Sequence, residues 1–190
     1  MMKKLFISES PKLETVVDGS STNWAVITHP HPLYGGDMNN NVVMAAWHAA
    51  LNAGYSVLRF NFRGTGASEG VHDDGIGEID DLKAAIDYIG VKPLLIGYSF
   101  GAWVTARLLK NTDFDAVLIS PPNLMFEFPD LKRKNITVLA GEKDEFCDIE
   151  QLRPLMPENS ITSFPVEHFW FGREALLKSA LQEILKVPTI

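Results

Sequence analysis

The sequence of 190 residues contains one cysteine, Cys147, so no internal disulfide can form. The fold must rest on its hydrophobic core, for which the length is sufficient, and a lone thiol fits a reducing compartment. Positive charge is scarce as well. Seventeen Lys and Arg stand against 24 Asp and Glu, a net charge of −7, with no dense basic run. That excludes the clustered cations a nucleic-acid or anionic-membrane surface requires. Long apolar runs are absent: nothing approaches the roughly 18 to 20 residues of a membrane span. The first residues, Met1-Met2-Lys3-Lys4-Leu5-Phe6-Ile7, carry the charge of an export signal, but the apolar run ends at Ser8-Glu9-Ser10-Pro11, too short for one. A cytoplasmic location is expected, and the Asn135-Ile136-Thr137 sequon is read as chance. Repeats, low-complexity tracts and interdomain linkers are also missing.

What is present is an alternation of short apolar runs with helical periodicity, the signature of a largely parallel sheet with crossover helices. Leu13 to Val17 reads as an early antiparallel edge strand, and Trp24 to Thr28 as a buried strand ending at a Pro-rich loop. Val42, Val43, Ala46, Ala50 and Leu51 recur at helical spacing before Gly54. Strands follow at Tyr55–Asn61, Pro93–Gly97, Ala116–Ile119, Ile136–Ala140 and Ile161–Phe164. Ile79, Leu82, Ile86 and Ile89 mark a second helix, and Leu176 to Leu185 a closing one. The segment between Ser120 and Ile136 is too short for a sizeable lid. One α/β domain spanning 1–190 is expected.

The most informative string is Gly97-Tyr98-Ser99-Phe100-Gly101. It joins the apolar run Leu94-Leu95-Ile96 to the helical stretch Ala102 to Leu109, and strand, G-x-S-x-G, helix is the context of a nucleophile elbow. A side chain two residues before or after the serine would collide in so tight a turn, hence the glycines. A serine hydroxyl needs a base, and the base needs an acid to orient it. In an open α/β sheet such groups belong at the carboxyl ends of strands. Asp144 follows the Ile136–Ala140 strand in Gly141-Glu142-Lys143-Asp144-Glu145, and His168 follows the last strand in Val166-Glu167-His168-Phe169. Ser99, Asp144, His168 is therefore the expected chain order, with Asp148 the substitute acid.

These strings, with His29-Pro30-His31-Pro32-Leu33-Tyr34-Gly35-Gly36 and Arg59-Phe60-Asn61-Phe62-Arg63-Gly64-Thr65-Gly66-Ala67-Ser68, resemble the α/β-hydrolase-fold serine hydrolases. The resemblance is to the small lidless kind, similar to dienelactone-hydrolase-like and short-chain esterase or peptidase-like proteins. It runs from about Leu13 to the final helix. It implies a single-domain α/β-hydrolase fold with a mostly parallel sheet of about seven or eight strands, helices on both faces and no lid. It also implies a Ser-His-Asp triad cleaving a small ester, thioester or amide through an acyl-enzyme. Dienelactone hydrolase itself uses a cysteine nucleophile; here Ser99 occupies the elbow, so that substrate does not carry over.

The oxyanion hole needs two N–H donors. Phe100, next after the nucleophile, is one. Pro30 and Pro32 have no N–H, so Leu33 is the expected second, with Tyr34 the alternative. Tyr34, Trp103, Met125, Phe126, Phe128 and Trp170 are candidate pocket residues. No cofactor is expected. His29 and His31 lack a third ligand at a persuasive spacing, so no metal is expected either. His48 and His72 read as solvent-facing, Arg63, Asp73 and Asp74 as structural, and Cys147 as inert. The expected partner is a small acyl substrate, with the protein a monomer or homodimer. A noncatalytic binding protein on the same fold, or an acyltransferase using the same residues, are the alternative readings.

Overall fold

The computed structural model describes residues 2–186. Eight strands form one sheet: β1 Lys3–Ile7, β2 Leu13–Asp18, β3 Trp24–Thr28, β4 Ser56–Phe60, β5 Leu94–Tyr98, β6 Ala116–Ile119, β7 Ile136–Gly141 and β8 Ile161–Phe164. Their spatial order is β1-β2-β4-β3-β5-β6-β7-β8, antiparallel as far as β4 and parallel from β4 to β8. Between them run α1 Asn41–Asn52, α2 Ile76–Ile89, α3 Phe100–Leu109 and the single turn α4 Ile149–Leu152, and α5 Glu174–Ile184 follows β8.

Parallel strands covered on both faces should be apolar throughout rather than alternating. β4 and β6 are buried along their whole length and β5 and β7 nearly so. The core accordingly divides in two. One cluster packs Leu58, Phe60, Leu82, Leu95, Val104 and Leu118 beneath α2 and α3. The other packs Ile27, Val42, Ala46, Ile96, Leu139 and Leu177 beneath α1 and α5. Among the described residues, no helix is long and apolar enough to cross a membrane.

One expectation is corrected. Leu13–Asp18 is antiparallel but is not the edge strand, because Lys3–Ile7 pairs along its outer side. The outer strand has Lys3, Lys4 and Phe6 exposed and only Ile7 buried, so it shows neither a buried apolar run nor a clean alternation.

The chain steps from β3 outward to β4, then returns to place β5 on the other side of β3. The strand order reverses there, and a crevice opens at the carboxyl ends of β3 and β5. Close backbone approach shapes it. A Cβ at Gly97 would stand 2.6 Å from the carbonyl oxygen of Gly101 and 2.7 Å from the Ala102 Cα. At Gly101 it would stand 2.6 Å from Thr28 Oγ1 and 2.7 Å from the His29 carbonyl oxygen. The first glycine lets α3 start immediately over β5, and the second lets that start press on the end of β3. Gly101→Ala should therefore cost about 2 kcal/mol in a urea unfolding experiment, as overpacking of a rigid site does. A change below about 0.5 kcal/mol, typical of a surface position, would contradict this reading.

Candidate active site

Ser99 sits at the junction of β5 and α3 with φ 53° and ψ −120°. A non-glycine residue there carries about 1–3 kcal/mol of backbone strain. The strain is held by the Gly97 and Gly101 contacts and by the bond from the Ser99 N–H to the Ile119 carbonyl (3.0 Å). Its hydroxyl meets His168 Nε2 at 2.8 Å. His168 Nδ1 lies 2.9 Å from both carboxylate oxygens of Asp144. With Nδ1 donating to the carboxylate, Nε2 is left as an acceptor for the serine proton. All three side chains are buried.

Each partner is fixed by its own loop. Asp144 follows β7, and its Oδ1 also accepts from the Phe146 N–H (2.9 Å). Gly141 permits this turn, since a Cβ there would run into the Val166 carbonyl. Asp148 lies outside the hydrogen-bonded chain. Its Oδ1 caps α4 at the Gln151 N–H (3.0 Å), and that bond holds its carboxyl below the usual carboxylate range. The His168 loop is tied at three points. Tyr98 Oη donates to the His168 carbonyl (3.1 Å), Asn41 Nδ2 to the Phe169 carbonyl (3.0 Å), and Trp170 Nε1 to Ser120 Oγ (2.9 Å).

The Pro-rich loop after β3 departs from expectation. Leu33 is not available as an oxyanion donor, because its N–H is spent on His31 Nδ1 at 3.2 Å within a 3-10 turn over Pro32–Tyr34. Its side chain is 70% exposed, away from the cavity. The Tyr34 N–H is engaged too, with the His31 carbonyl at 3.1 Å. Phe100 and His31 both line the cavity, and among the described residues no protein acceptor takes the N–H of either. His31 lies between the two prolines, so the prolines exclude themselves while the residue they enclose keeps its donor.

His29 is fully buried and clamps this loop. Its Nδ1 donates to the Pro30 carbonyl (2.6 Å), and its Nε2 accepts the Phe62 N–H (3.0 Å). Burial pushes its pKa down to about 4. The second long motif works alongside it. Asn61 Oδ1 accepts the Met38 N–H (2.8 Å) while Asn61 Nδ2 donates to Glu14 (2.7 Å). Arg63 forks onto Asp81 at 2.7 Å and 3.0 Å. His48 is exposed as expected, but His72 is not: its side chain is 8% exposed, packed 4.8 Å from the His31 ring and 5.5 Å from the Phe100 ring. Its Nδ1 lies 2.7 Å from Glu78 Oε1 without the alignment of a hydrogen bond. Buried Cys147 has its thiol pushed up to about 12 by desolvation, which keeps it protonated and unreactive.

Ser99 opens into a cavity of about 520 Å³. Tyr34, Met125 and Phe126 line it as expected. Trp170 does not: it is buried under the His168 loop, with its indole N–H on Ser120. Trp103 stands behind the wall, stacked on Phe126 at 4.4 Å with its N–H on the Glu127 carbonyl, and Phe128 belongs to the core. The wall residues missed in the sequence are Phe146, Phe169 and Phe171. Their positions next to Asp144 and His168 were the available signal. Among the described residues no group of three or more His, Cys, Asp or Glu could hold a metal.

A family model described as the alpha/beta hydrolase family matches residues 19–184. The chain belongs to this family. A solved alpha/beta serine hydrolase without lid from Xanthomonas campestris is 28% identical at a TM-score of 0.88, covering 100% of this chain and 96% of that one. An alpha-beta serine hydrolase homologue from Coxiella burnetii is 28% identical at a TM-score of 0.85, covering 96% of this chain and 97% of that one. An uncharacterised protein of Rickettsia prowazekii is 38% identical over 145 residues, 70% of this chain. The match spans 61% of that relative's length. This α/β hydrolase is thus of the small lidless serine-hydrolase type.

The clamp at His29 makes stability depend on pH. The ordinary value of 6.5 applies to the unfolded chain and about 4 to the folded one, so the unfolded state binds the extra proton between them. Stability should be fully present above the unfolded value and fall as pH drops toward the folded one, by about 3 kcal/mol from this group. Urea unfolding at about pH 7 and about pH 4.5 measures it, and His29→Gln should flatten that part of the profile. An unchanged slope in the variant would assign the acid sensitivity to other groups.

Proposed function

We propose that this hydrolase cleaves a small carboxylic ester, thioester or amide through an acyl-enzyme on Ser99. The observation that carries the reading is the unbroken chain from Ser99 Oγ through His168 to Asp144, opening on an apolar cavity. His168 Nε2 takes the serine proton as Oγ attacks the carbonyl carbon. Asp144 keeps the imidazole in the tautomer able to do so and stabilises the cation that forms. The intermediate's oxygen is held by the Phe100 and His31 N–H groups, the first of them at the N-terminus of α3 where the helix field favours negative charge. His168 then returns the proton to the leaving group and takes one from the water that attacks the acyl carbon. It passes that proton to Ser99 Oγ as the acyl–oxygen bond to serine breaks and the acid is released.

A fluorophosphonate probe should label Ser99, with Ser99→Ala unlabelled. Asp144→Asn should lower kcat by about 10⁴-fold, as loss of the correct tautomer does elsewhere. Asp148→Asn should stay within a few-fold of wild type, since its carboxylate serves α4. Correctly folded wild type that takes no label would move the protein to a noncatalytic role on the same fold. Product analysis with an added alcohol separates hydrolysis from acyl transfer.

A further inference from the structure

The cavity wall divides into two aromatic groups. Around the Phe100 donor, the His31 ring packs at 4.7 Å, with Tyr34 4.7 Å beyond it and Phe126 5.9 Å from the Phe100 ring. Around His168, Phe146 and Phe169 present their rings edge to face at 4.8 Å and 5.2 Å. Phe171 stacks on Phe169 at 5.6 Å and an interplanar angle of 18°. Among the described residues no ring contact joins Phe146, Phe169 or Phe171 to the Phe100 group. Ser99 stands between the two, bonded through its hydroxyl to His168 and through its peptide to Phe100.

The reaction gives these halves different occupants. The leaving-group oxygen must come within reach of His168 Nε2 to be protonated, so the leaving group lies along the His168 side. The carbonyl oxygen turns toward the Phe100 N–H, and the acyl substituent takes the remaining direction, away from His168. We propose that Phe146, Phe169 and Phe171 form a leaving-group subsite selecting an uncharged, aromatic or bulky apolar alcohol. The proposal rests on the Ser99 hydrolase reading. No Lys or Arg is among the residues lining the cavity, and the chain carries a net charge of −7. Anionic leaving groups, such as a nucleotide-bearing thiol, thus meet neither a cation nor a favourable field. In the step concerned, the Ser99 Oγ–acyl bond forms to give the tetrahedral intermediate, and its collapse breaks the carbonyl–oxygen bond of the ester. The serine proton passes by His168 to the departing alkoxide, releasing the neutral alcohol.

Benzyl and methyl esters of one short acid test this, because their alcohols have similar acidity and differ chiefly in apolar area. The benzyl ester should have a kcat/KM ~10-fold or more above the methyl ester, the scale expected for burying a ring against an aromatic wall. The 4-carboxybenzyl ester should lose that advantage. Phe171, 75% exposed and so removable without unfolding the protein, reads out the subsite: Phe171→Ala should lower the benzyl-to-methyl ratio ~5-fold. Phe169→Leu should lower the ratio in the same direction, and Phe126→Ala should shift both esters together. If Ser99 takes the fluorophosphonate label and both esters turn over, but the benzyl ester has no advantage, the subsite proposal is overturned and the hydrolase reading stands. If Ser99 is not labelled in folded protein, both fall.

Discussion

The close approach of three backbone segments at Gly97 and Gly101 is the constraint from which the rest of the site follows. It brings the start of α3 onto the ends of β5 and β3 and forces Ser99 into a positive φ. The strained turn lifts the hydroxyl toward His168 and leaves the first N–H of α3 unspent. The same contact sets the Pro-rich loop beside the elbow, since the His29 carbonyl is one of the atoms pressing on Gly101. The candidate nucleophile and the candidate oxyanion donors are thus one packing arrangement.

Around this centre the protein uses buried polar groups to fix loops, in keeping with the pairing of most buried donors and acceptors in protein interiors. His29 ties the Pro-rich loop to the strand end at Phe62. Asn61 joins Met38 to Glu14, while Trp170 and Tyr98 hold the His168 loop from two sides. Tyr98 alone of these also lines the cavity, and His29, Asn61 and Trp170 lie outside its lining. They hold a hydrogen-bonded chain of 2.8–2.9 Å links across three separate loops.

Much of the architecture was legible in the sequence because parallel strands read as apolar runs and helices as a different period. Lys3–Ile7 was missed as a strand because an edge strand with one buried residue carries neither signal. At the site, Ser99, Asp144 and His168 could be picked out because each follows a strand within a short, chemically distinctive string. Leu33 is not the donor that the absence of a proline N–H suggests, because the 3-10 turn consumes the N–H groups of Leu33 and Tyr34. His72 looked exposed in a polar loop, yet the loop folds it against His31 and Phe100. Trp103 and Trp170 were plausible linings by size alone, but both spend their indole N–H groups on the protein and stand behind or beneath the wall.

The sequence by itself determined the class of fold and the order of its chemical groups, since local patterns of burial and turn chemistry are written in neighbouring residues. Which N–H groups remain free, and which aromatic rings face Ser99, was decided only by tertiary structure. Those properties depend on contacts between segments far apart in the chain: His29 with Gly101 at the elbow, and Phe146 with Phe169 across His168. A one-dimensional pattern carries the residue types but not the directions in which their bonds and faces are spent.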